Sequence, residues 1–148
     1  MADDSIFRAG LLDGQVAIIT GGGTGIGLGI SELLAQLGAH VVLASRKPEN
    51  VEPAAERIRA AGGQASAASV DVRDQERVRA MVEQVVNEHG RIDLLVNNAA
   101  GNFYAPSETL SANAWRSVLE IDLSGTFFCS QAVMPVMKAR GGGRIVST

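Results

Sequence analysis

The sequence has little of what marks a secreted or membrane-spanning chain. Its single cysteine, Cys129, cannot form an internal disulfide, and no apolar run reaches the ~20 residues that a helix needs to cross a bilayer. The first residues, MADDSIFRAGLLDG, have neither the basic start nor the apolar stretch of a signal peptide. We therefore expect a cytoplasmic protein with no membrane partner, in which Cys129 is a small core residue rather than a reactive thiol.

An excess of basic residues is also absent. The chain has 13 Lys and Arg against 16 Asp and Glu, which gives a net charge of -3. Because this balance provides no broad positive field, we expect no nucleic-acid partner, and any phosphate-binding site has to be local. No metal site is expected. The 148 residues, 46% of them hydrophobic, are enough for one globular domain with its own core.

Short apolar strands alternate with amphipathic helices along the chain. The first helix is indicated by apolar residues at helical spacing, namely Ile26, Ile30, Leu33, Leu34 and Leu37. Asp74 is expected to cap a later helix that ends at Gly90. The predicted strands are Val16–Thr20, His40–Ser45, ASAASVDV at 65–72 and Ile92–Val96. This order predicts an α/β fold with a doubly wound, Rossmann-like parallel sheet and helices on both faces.

The last third of the sequence predicts one long helix and the beginning of another strand. Ser111 is a plausible cap for a helix over residues 112–140, which from Val118 to Met137 is apolar or small on nearly every side. We expect this helix to meet a partner subunit in a homo-oligomer; coverage by a missing C-terminal part is the alternative. Pro135 should kink or loosen its last turns. Because GGGRIVST stops inside a β-rich run, we interpret the chain as truncated in or after the fifth strand.

The stretch TGGGTGIGLG, Thr20–Gly29, follows the first strand directly. Glycines there let the backbone turn tightly and bring its N–H groups close to an anion, to which the helix start adds the positive end of its dipole. A dinucleotide pyrophosphate fits such a turn, although the spacing is neither G-x-G-x-x-G nor that of a nucleotide-triphosphate loop. The alternative is that the glycines serve only tight turning and close helix packing.

The end of the second strand reads Ala44-Ser45-Arg46-Lys47. An acidic side chain at this place commonly binds the ribose 2′-hydroxyl of NAD, whereas a basic one accommodates the 2′-phosphate of NADP. Since no carboxylate stands there and a guanidinium can bind phosphate through two hydrogen bonds, we predict a preference for NADPH. An ordinary exposed basic pair is the alternative.

Three motifs in this order resemble the short-chain dehydrogenase/reductase family: Thr20-Gly21-x-x-x-Gly25-x-Gly27, Asp71 after the third strand, and NNAAG at 97–101. The resemblance implies that residues 1–148 form an NAD(P)-binding domain, the N-terminal part of a single-domain reductase. It implies that the glycine turn carries the pyrophosphate and that Asp71 contacts adenine. With the strand-end residues, the expected cofactor-binding set is Gly21, Thr24, Gly25, Ile26, Gly27, Ser45, Arg46, Lys47, Asp71, Val72, Asn98, Ala99, Ala100 and Gly101.

Within that family, ASRK, DVRD, NNAAGNF and LSANAW are similar to the 2,4-dienoyl-CoA and related enoyl-CoA reductases. This resemblance implies a homotetrameric enzyme of fatty acid metabolism in which NADPH reduces an unsaturated acyl-CoA thioester. Asn102 matches the active-site asparagine and could donate a hydrogen bond to the thioester carbonyl, while Phe103, Ser111 and Arg73 match positions that contact the acyl-CoA. Their alternative roles are a loop turn for Asn102, a core aromatic for Phe103, a helix cap for Ser111 and a surface charge for Arg73.

The sequence departs from the family in its proton-handling residues. Asp122 occupies the position of a catalytic asparagine, and an ionised acid cannot donate a hydrogen bond, so a structural role is expected instead. The family's serine, tyrosine and lysine would lie beyond Thr148, because Ser147 falls a few positions early and Tyr104 has no lysine four residues later. We therefore expect little or no activity from these residues alone. The alternative functions are a 3-oxoacyl or other carbonyl reductase and a non-catalytic NADPH-binding or interaction module.

Overall fold

A computed structural model of the chain describes residues 6–148. In this range five strands form one parallel sheet in the order β3-β2-β1-β4-β5. The strands are β1 Val16–Thr20, β2 His40–Ser45, β3 Gln64–Ser69, β4 Leu94–Asn97 and β5 Arg144–Ser147. The helices are α1 Gly25–Gln36, α2 Pro48–Ala60, α3 Gln75–His89, α4 Ala112–Leu119 and α5 Gly125–Ala139, with a short 3-10 turn at Ser107–Thr109. The predicted Rossmann-like fold is confirmed.

The central strands β1, β2 and β4 are apolar except at their end residues, so helices can cover both faces of the sheet. Ile18 of β1 packs with residues of α3 and α5, whereas Ala17 and Ile19 point to the other face and pack with residues of α2. This alternation follows from the two-residue period of a strand. Cys129 of α5 lies in the first of these clusters with 1% of its surface exposed. Burial raises the pKa of its thiol to about 12, as expected for a core residue.

Helix α1 packs differently from the prediction. Its buried residues are Gly27, Ser31 and Ala35, whereas 74% of Ile26 and 40% of Leu33 are exposed. Small residues on the inner face let the helix approach the glycine turn closely, and the buried Ser31 hydroxyl is shared between the carbonyl oxygens of Gly22 and Gly27 at 3.2 and 2.8 Å. The expected apolar stripe was therefore wrong for Ile26 and Leu33.

The predicted caps are confirmed at two helices. The Asp74 carboxylate accepts a hydrogen bond from the Arg77 amide at 3.1 Å at the start of α3, which ends with Gly90 in the left-handed region. Ser111 accepts from the Ala114 amide at 3.1 Å and caps α4. These caps fix where the two helices begin.

The long C-terminal helix is interrupted. Between α4 and α5 lies a π-helical stretch, Glu120–Ser124, and α5 continues through Pro135 to Ala139. The buried side of α5 includes Cys129, Val133 and Met137, while four large apolar side chains along 112–139 are at least two-fifths exposed: Trp115, Leu123, Phe127 and Met134. Among residues 6–148, no helix is both long and apolar enough to span a bilayer.

Two histidines meet at the edge of the sheet where the strands begin. The rings of His40 in β2 and His89 in α3 lie with centroids 4.1 Å apart, and the His40 Nε2 is 3.1 Å from the Ser66 hydroxyl. Burial, and after it the charge of His89, lowers the pKa of His40, although Gln64 and Glu88 oppose the shift. Protonation of His40 is thus disfavoured in the folded chain.

We predict that the chain loses stability as the pH falls through 6.5, the usual pKa of His40. Because the lowered pKa leaves folded His40 neutral, the unfolded chain takes up the proton first, and the free energy of unfolding decreases. Urea titrations between about pH 7.5 and 5.5 should show a smaller decrease in the free energy of unfolding for His40→Gln than for the wild type. His89→Gln should change this pH dependence less than His40→Gln does, since the burial of His40, the larger cause of its lowered pKa, remains. An identical pH dependence in His40→Gln and the wild type would contradict the account.

Candidate functional site

A buried hydroxyl joins the carboxyl ends of β1 and β4. The Thr20 Oγ1 accepts hydrogen bonds from the amides of Asn98 and Ala99 at 2.9 and 3.0 Å and donates to the Val96 carbonyl oxygen at 3.4 Å. The Asn98 side-chain amide donates in return to the carbonyl oxygens of Thr20 and Gly21 at 3.0 and 3.3 Å. The glycine turn and the NNAA segment are therefore held side by side at one edge of the sheet.

The glycine turn needs glycine for two separate reasons. A Cβ on Gly27 would overlap the Gly21 carbonyl oxygen and the Asn98 side-chain nitrogen, so any side chain there would push the helix start away from the turn. A Cβ on Gly23 would instead overlap the Asn50 carbonyl of α2. Gly23 thus serves close packing, as the alternative interpretation of the run proposed, whereas Gly27 shapes the edge of the site.

A cleft of about 440 Å³ opens between the glycine turn, the end of β2 and the NNAA segment. Of the expected cofactor-binding residues, those that line it are Gly21, Thr24, Ile26, Gly27, Ser45, Arg46, Lys47, Asp71, Val72, Asn98, Ala99 and Ala100. Gly25 and Gly101 do not line the cleft themselves, although each is a chain neighbour of a residue that does. The cleft lies beyond the carboxyl ends of parallel strands, where α/β sheets bind ligands.

Four residues of the cleft were missed by sequence reasoning: Ala44, Asn50, Val70 and Ile121. Ala44 and Val70 flank predicted positions at strand ends, and Asn50 is in the first turn of α2, so their places could have been inferred from the predicted elements. Ile121 lies in the π-helical stretch and reaches the cleft only through the tertiary fold. It contacts the backbone at Gly101, where an added Cβ would come within 2.6 Å of the Ile121 Cδ1.

The cleft has free positive charge at one end. Arg46 and Lys47 are exposed there, and neither side chain has a salt bridge to a carboxylate in the described part of the chain. An unpaired guanidinium beside a glycine turn can bind a phosphate through two parallel hydrogen bonds.

The carboxylate of Asp71 is held by Arg73. The Arg73 Nη2 is 2.6 Å from the Asp71 Oδ2, and the Arg73 Nε lies 3.0 and 3.1 Å from the two carboxylate oxygens. These hydrogen bonds lower the pKa of Asp71, although burial opposes them. Arg73 itself does not line the cleft; it lies in an adjacent hollow with Asp74, Glu76, Arg77 and Glu120.

The expected substrate residues Asn102, Phe103, Ser111 and Arg73 do not line the cleft. Asn102 and Phe103 lie in the exposed loop after Gly101, and 49% of Phe103 is exposed, so it is not a core aromatic. Ser111 serves as the cap of α4. The loop is anchored before Asn102, because the Gly101 amide donates a hydrogen bond of 2.8 Å to the Asp122 carboxylate. This contact gives Asp122 the structural role expected for it.

Comparison with known proteins matches this chain to one family. A family model described as short chain dehydrogenase matches residues 15–148. The peroxisomal 2,4-dienoyl-CoA reductase of Danio rerio is 42% identical over 143 residues, which are 96% of this chain and 48% of that protein. The chain thus spans about half the length of the curated relatives it matches.

Solved structures agree with the assignment. A citronellol catabolism dehydrogenase from Pseudomonas aeruginosa superimposes with a TM-score of 0.91 at 42% identity, over 97% of this chain and 59% of that one. A metagenomic short-chain oxidoreductase in complex with NADP superimposes with a TM-score of 0.86 at 36% identity, over 92% of this chain and 62% of that one.

We predict that Gly27→Ala destabilises the chain by about 1–3 kcal/mol, because the new Cβ overlaps the turn. The substitution should also weaken binding of the expected dinucleotide in the cleft. Gly29→Ala is the matched control on the same helix. A Cβ at Gly29 has open space and should stabilise the chain by about 0.5–1 kcal/mol. Urea unfolding of both variants measures the difference, and equal effects on stability would refute the close approach at Gly27.

Proposed function

This chain belongs to the short-chain dehydrogenase/reductase family, and on that premise we propose that it is the NADPH-binding part of an oxidoreductase that reduces an unsaturated acyl-CoA thioester, a 2,4-dienoyl-CoA or an enoyl-CoA. The observation that carries the proposal is the cleft in which the close-packed glycine turn lies beside Arg46 and Lys47, neither of which has an ion pair in the part of the chain that the structure describes. We further propose that residues 1–148 are the N-terminal part of a single-domain reductase.

The cleft fits a dinucleotide with a 2′-phosphate. The turn at Gly21–Gly27 would hold the pyrophosphate, since Gly21 and Gly27 line the cleft where α1 begins and present no side chain to it. Arg46 would bind the 2′-phosphate and Asp71 would accept a hydrogen bond from the adenine amino group. Bound NADPH supplies a hydride to the substrate. Support for the phosphorylated cofactor comes from the related metagenomic oxidoreductase whose structure contains NADP.

The substrate proposal rests on the loop after the NNAA segment and on the Danio rerio relative that is named a 2,4-dienoyl-CoA reductase. We assign Asn102 as a hydrogen-bond donor to the thioester oxygen, where negative charge grows during reduction, and Phe103, Ser111 and Arg73 as acyl-CoA contacts. The Asp122 hydrogen bond to the Gly101 amide would steady the backbone just before Asn102.

A second candidate function is reduction of a 3-oxoacyl or other carbonyl substrate. It is favoured by the superposition on a protein described as a citronellol catabolism dehydrogenase. A third, a non-catalytic NADPH-binding or interaction module, differs from both in predicting no turnover by the complete gene product.

Assembly and location are also proposals. Large apolar side chains on α4, the π-helical stretch and α5 are exposed, and we propose that they meet a second copy of the chain in a homotetramer. A cytoplasmic location remains our prediction, whereas the Danio rerio relative is named peroxisomal.

We predict that Arg46→Ala weakens NADPH binding by roughly tenfold or more and leaves NADH binding nearly unchanged, because only the 2′-phosphate loses its partner. Fluorescence titration of both cofactors measures the change. Arg79→Ala is the control, since Arg79 pairs with Glu76 on the exposed surface of α3. Equal affinity for both cofactors in the wild type, with no change in Arg46→Ala, would contradict the assignment.

We predict that the complete gene product oxidises NADPH with a dienoyl-CoA or an enoyl-CoA faster than with a 3-oxoacyl-CoA when the three are assayed in parallel. Asn102→Ala should lower kcat by about 10²-fold, the usual cost of losing one donor to a developing oxyanion. Activity only with the 3-oxoacyl-CoA would favour the second candidate. Unchanged kcat in Asn102→Ala would remove its proposed role.

A further inference from the structure

The turn between β3 and α3 is closed by hydrogen bonds of its own backbone and side chains. The Asp71 carbonyl oxygen accepts from the Asp74 amide at 3.0 Å, and the Asp71 Oδ1 accepts from the Arg73 amide at 3.0 Å. The Arg73 guanidinium then reaches back to both carboxylate oxygens. A carboxylate has about four lone-pair sites, and three N–H groups of Arg73, its amide, Nε and Nη2, donate to Asp71, so most of these sites are taken.

Asp71 also lies within electrostatic reach of Arg46, since the charge of Arg46 contributes to the lowered pKa of Asp71. Both residues line the same cleft, yet Arg46 has no ion pair within residues 6–148. An unsatisfied carboxylate facing a free guanidinium would attract it. The pairing of Asp71 with Arg73 removes that competition.

We propose that Arg73 is a positioning residue that sets the cofactor preference: by occupying the Asp71 carboxylate it keeps Arg46 free to bind a 2′-phosphate. This inference rests on the proposed NADPH-binding function. It assigns part of the cofactor specificity to a residue that lies outside the cleft. Without Arg73, the carboxylate draws Arg46 into an ion pair and repels the 2′-phosphate. The 2′-phosphate of NADP then loses its partner and NADP binds more weakly. The affinity for NAD, which has no phosphate at that position, changes little.

Other charged groups near the pair do not replace Arg73. The hollow beside it contains three carboxylates, Asp74, Glu76 and Glu120, which cannot donate to Asp71, and Arg77, which is 3.7 Å from Asp74. On the cleft side, Lys47 is the other cation. Arg77 therefore provides a matched control: it is an arginine of the same hollow that pairs with a different carboxylate and does not line the cleft.

The test is calorimetric titration of the 148-residue chain with NADP⁺ and with NAD⁺, expressed as the ratio of the two dissociation constants. In Arg73→Gln the preference for NADP⁺ should fall roughly tenfold, whereas Arg77→Gln should keep the wild-type ratio. Arg73→Lys retains the charge but not the two-pronged contact and should give an intermediate ratio. Far-UV circular dichroism verifies that each variant is folded.

A double variant separates positioning from a general disturbance of the turn. In Asp71→Asn/Arg73→Gln no carboxylate remains to attract Arg46, so the preference should return to within about threefold of the wild type. A wild-type ratio in Arg73→Gln, or no recovery in the double variant, would overturn the inference while leaving the proposed function intact. If the wild-type chain binds NAD⁺ as tightly as NADP⁺, or neither, the proposed function fails and the inference fails with it.

Discussion

The rest of the site depends on the hydrogen bonds of one buried hydroxyl. Thr20 is 1% exposed, and its Oγ1 binds the amides of Asn98 and Ala99 while the Asn98 side chain binds back to the turn. These contacts join neighbouring strands where the ladder between β1 and β4 ends. Because buried amides have to be satisfied, the two segments cannot separate without losing several hydrogen bonds. The cleft is the space left between these tied segments and the end of β2.

Charge within this acidic chain is arranged by pairing. Asp71 is bound by Arg73, and at the opposite edge of the sheet Asp93 is bound by Arg91 and accepts from the Val16 amide. In both pairs the carboxylate pKa is lowered although burial opposes the shift. Within residues 6–148, Arg46 and Lys47 beside the glycine turn have no such partner. Local positive charge is thus available to a phosphate although the net charge of the chain is negative.

Local sequence patterns predicted the strands and the cleft, but not the contacts between elements. β1 and β2 have the predicted bounds, and most expected cofactor residues line one cleft because parallel strands all end at the same edge. Ile26 and Leu33 were misassigned because an apolar period does not reveal that small residues can face the core. The place of Ile121 in the cleft, and the π-helical stretch around it, could not be predicted because they depend on tertiary packing. The pairing of Arg73 with Asp71 depends on a side-chain conformation that the sequence DVRD does not specify.

The central claim is that the cleft beside the glycine turn binds the phosphates of NADP. Amide chemical shifts of the ¹⁵N-labelled chain, recorded during titration with NADP⁺, test it most directly. The account predicts saturable shifts concentrated at residues 21–27 and 46–50, with the latter group much less affected by NAD⁺. Saturable shifts confined to another face of the sheet, or no shifts at millimolar NADP⁺, would contradict it.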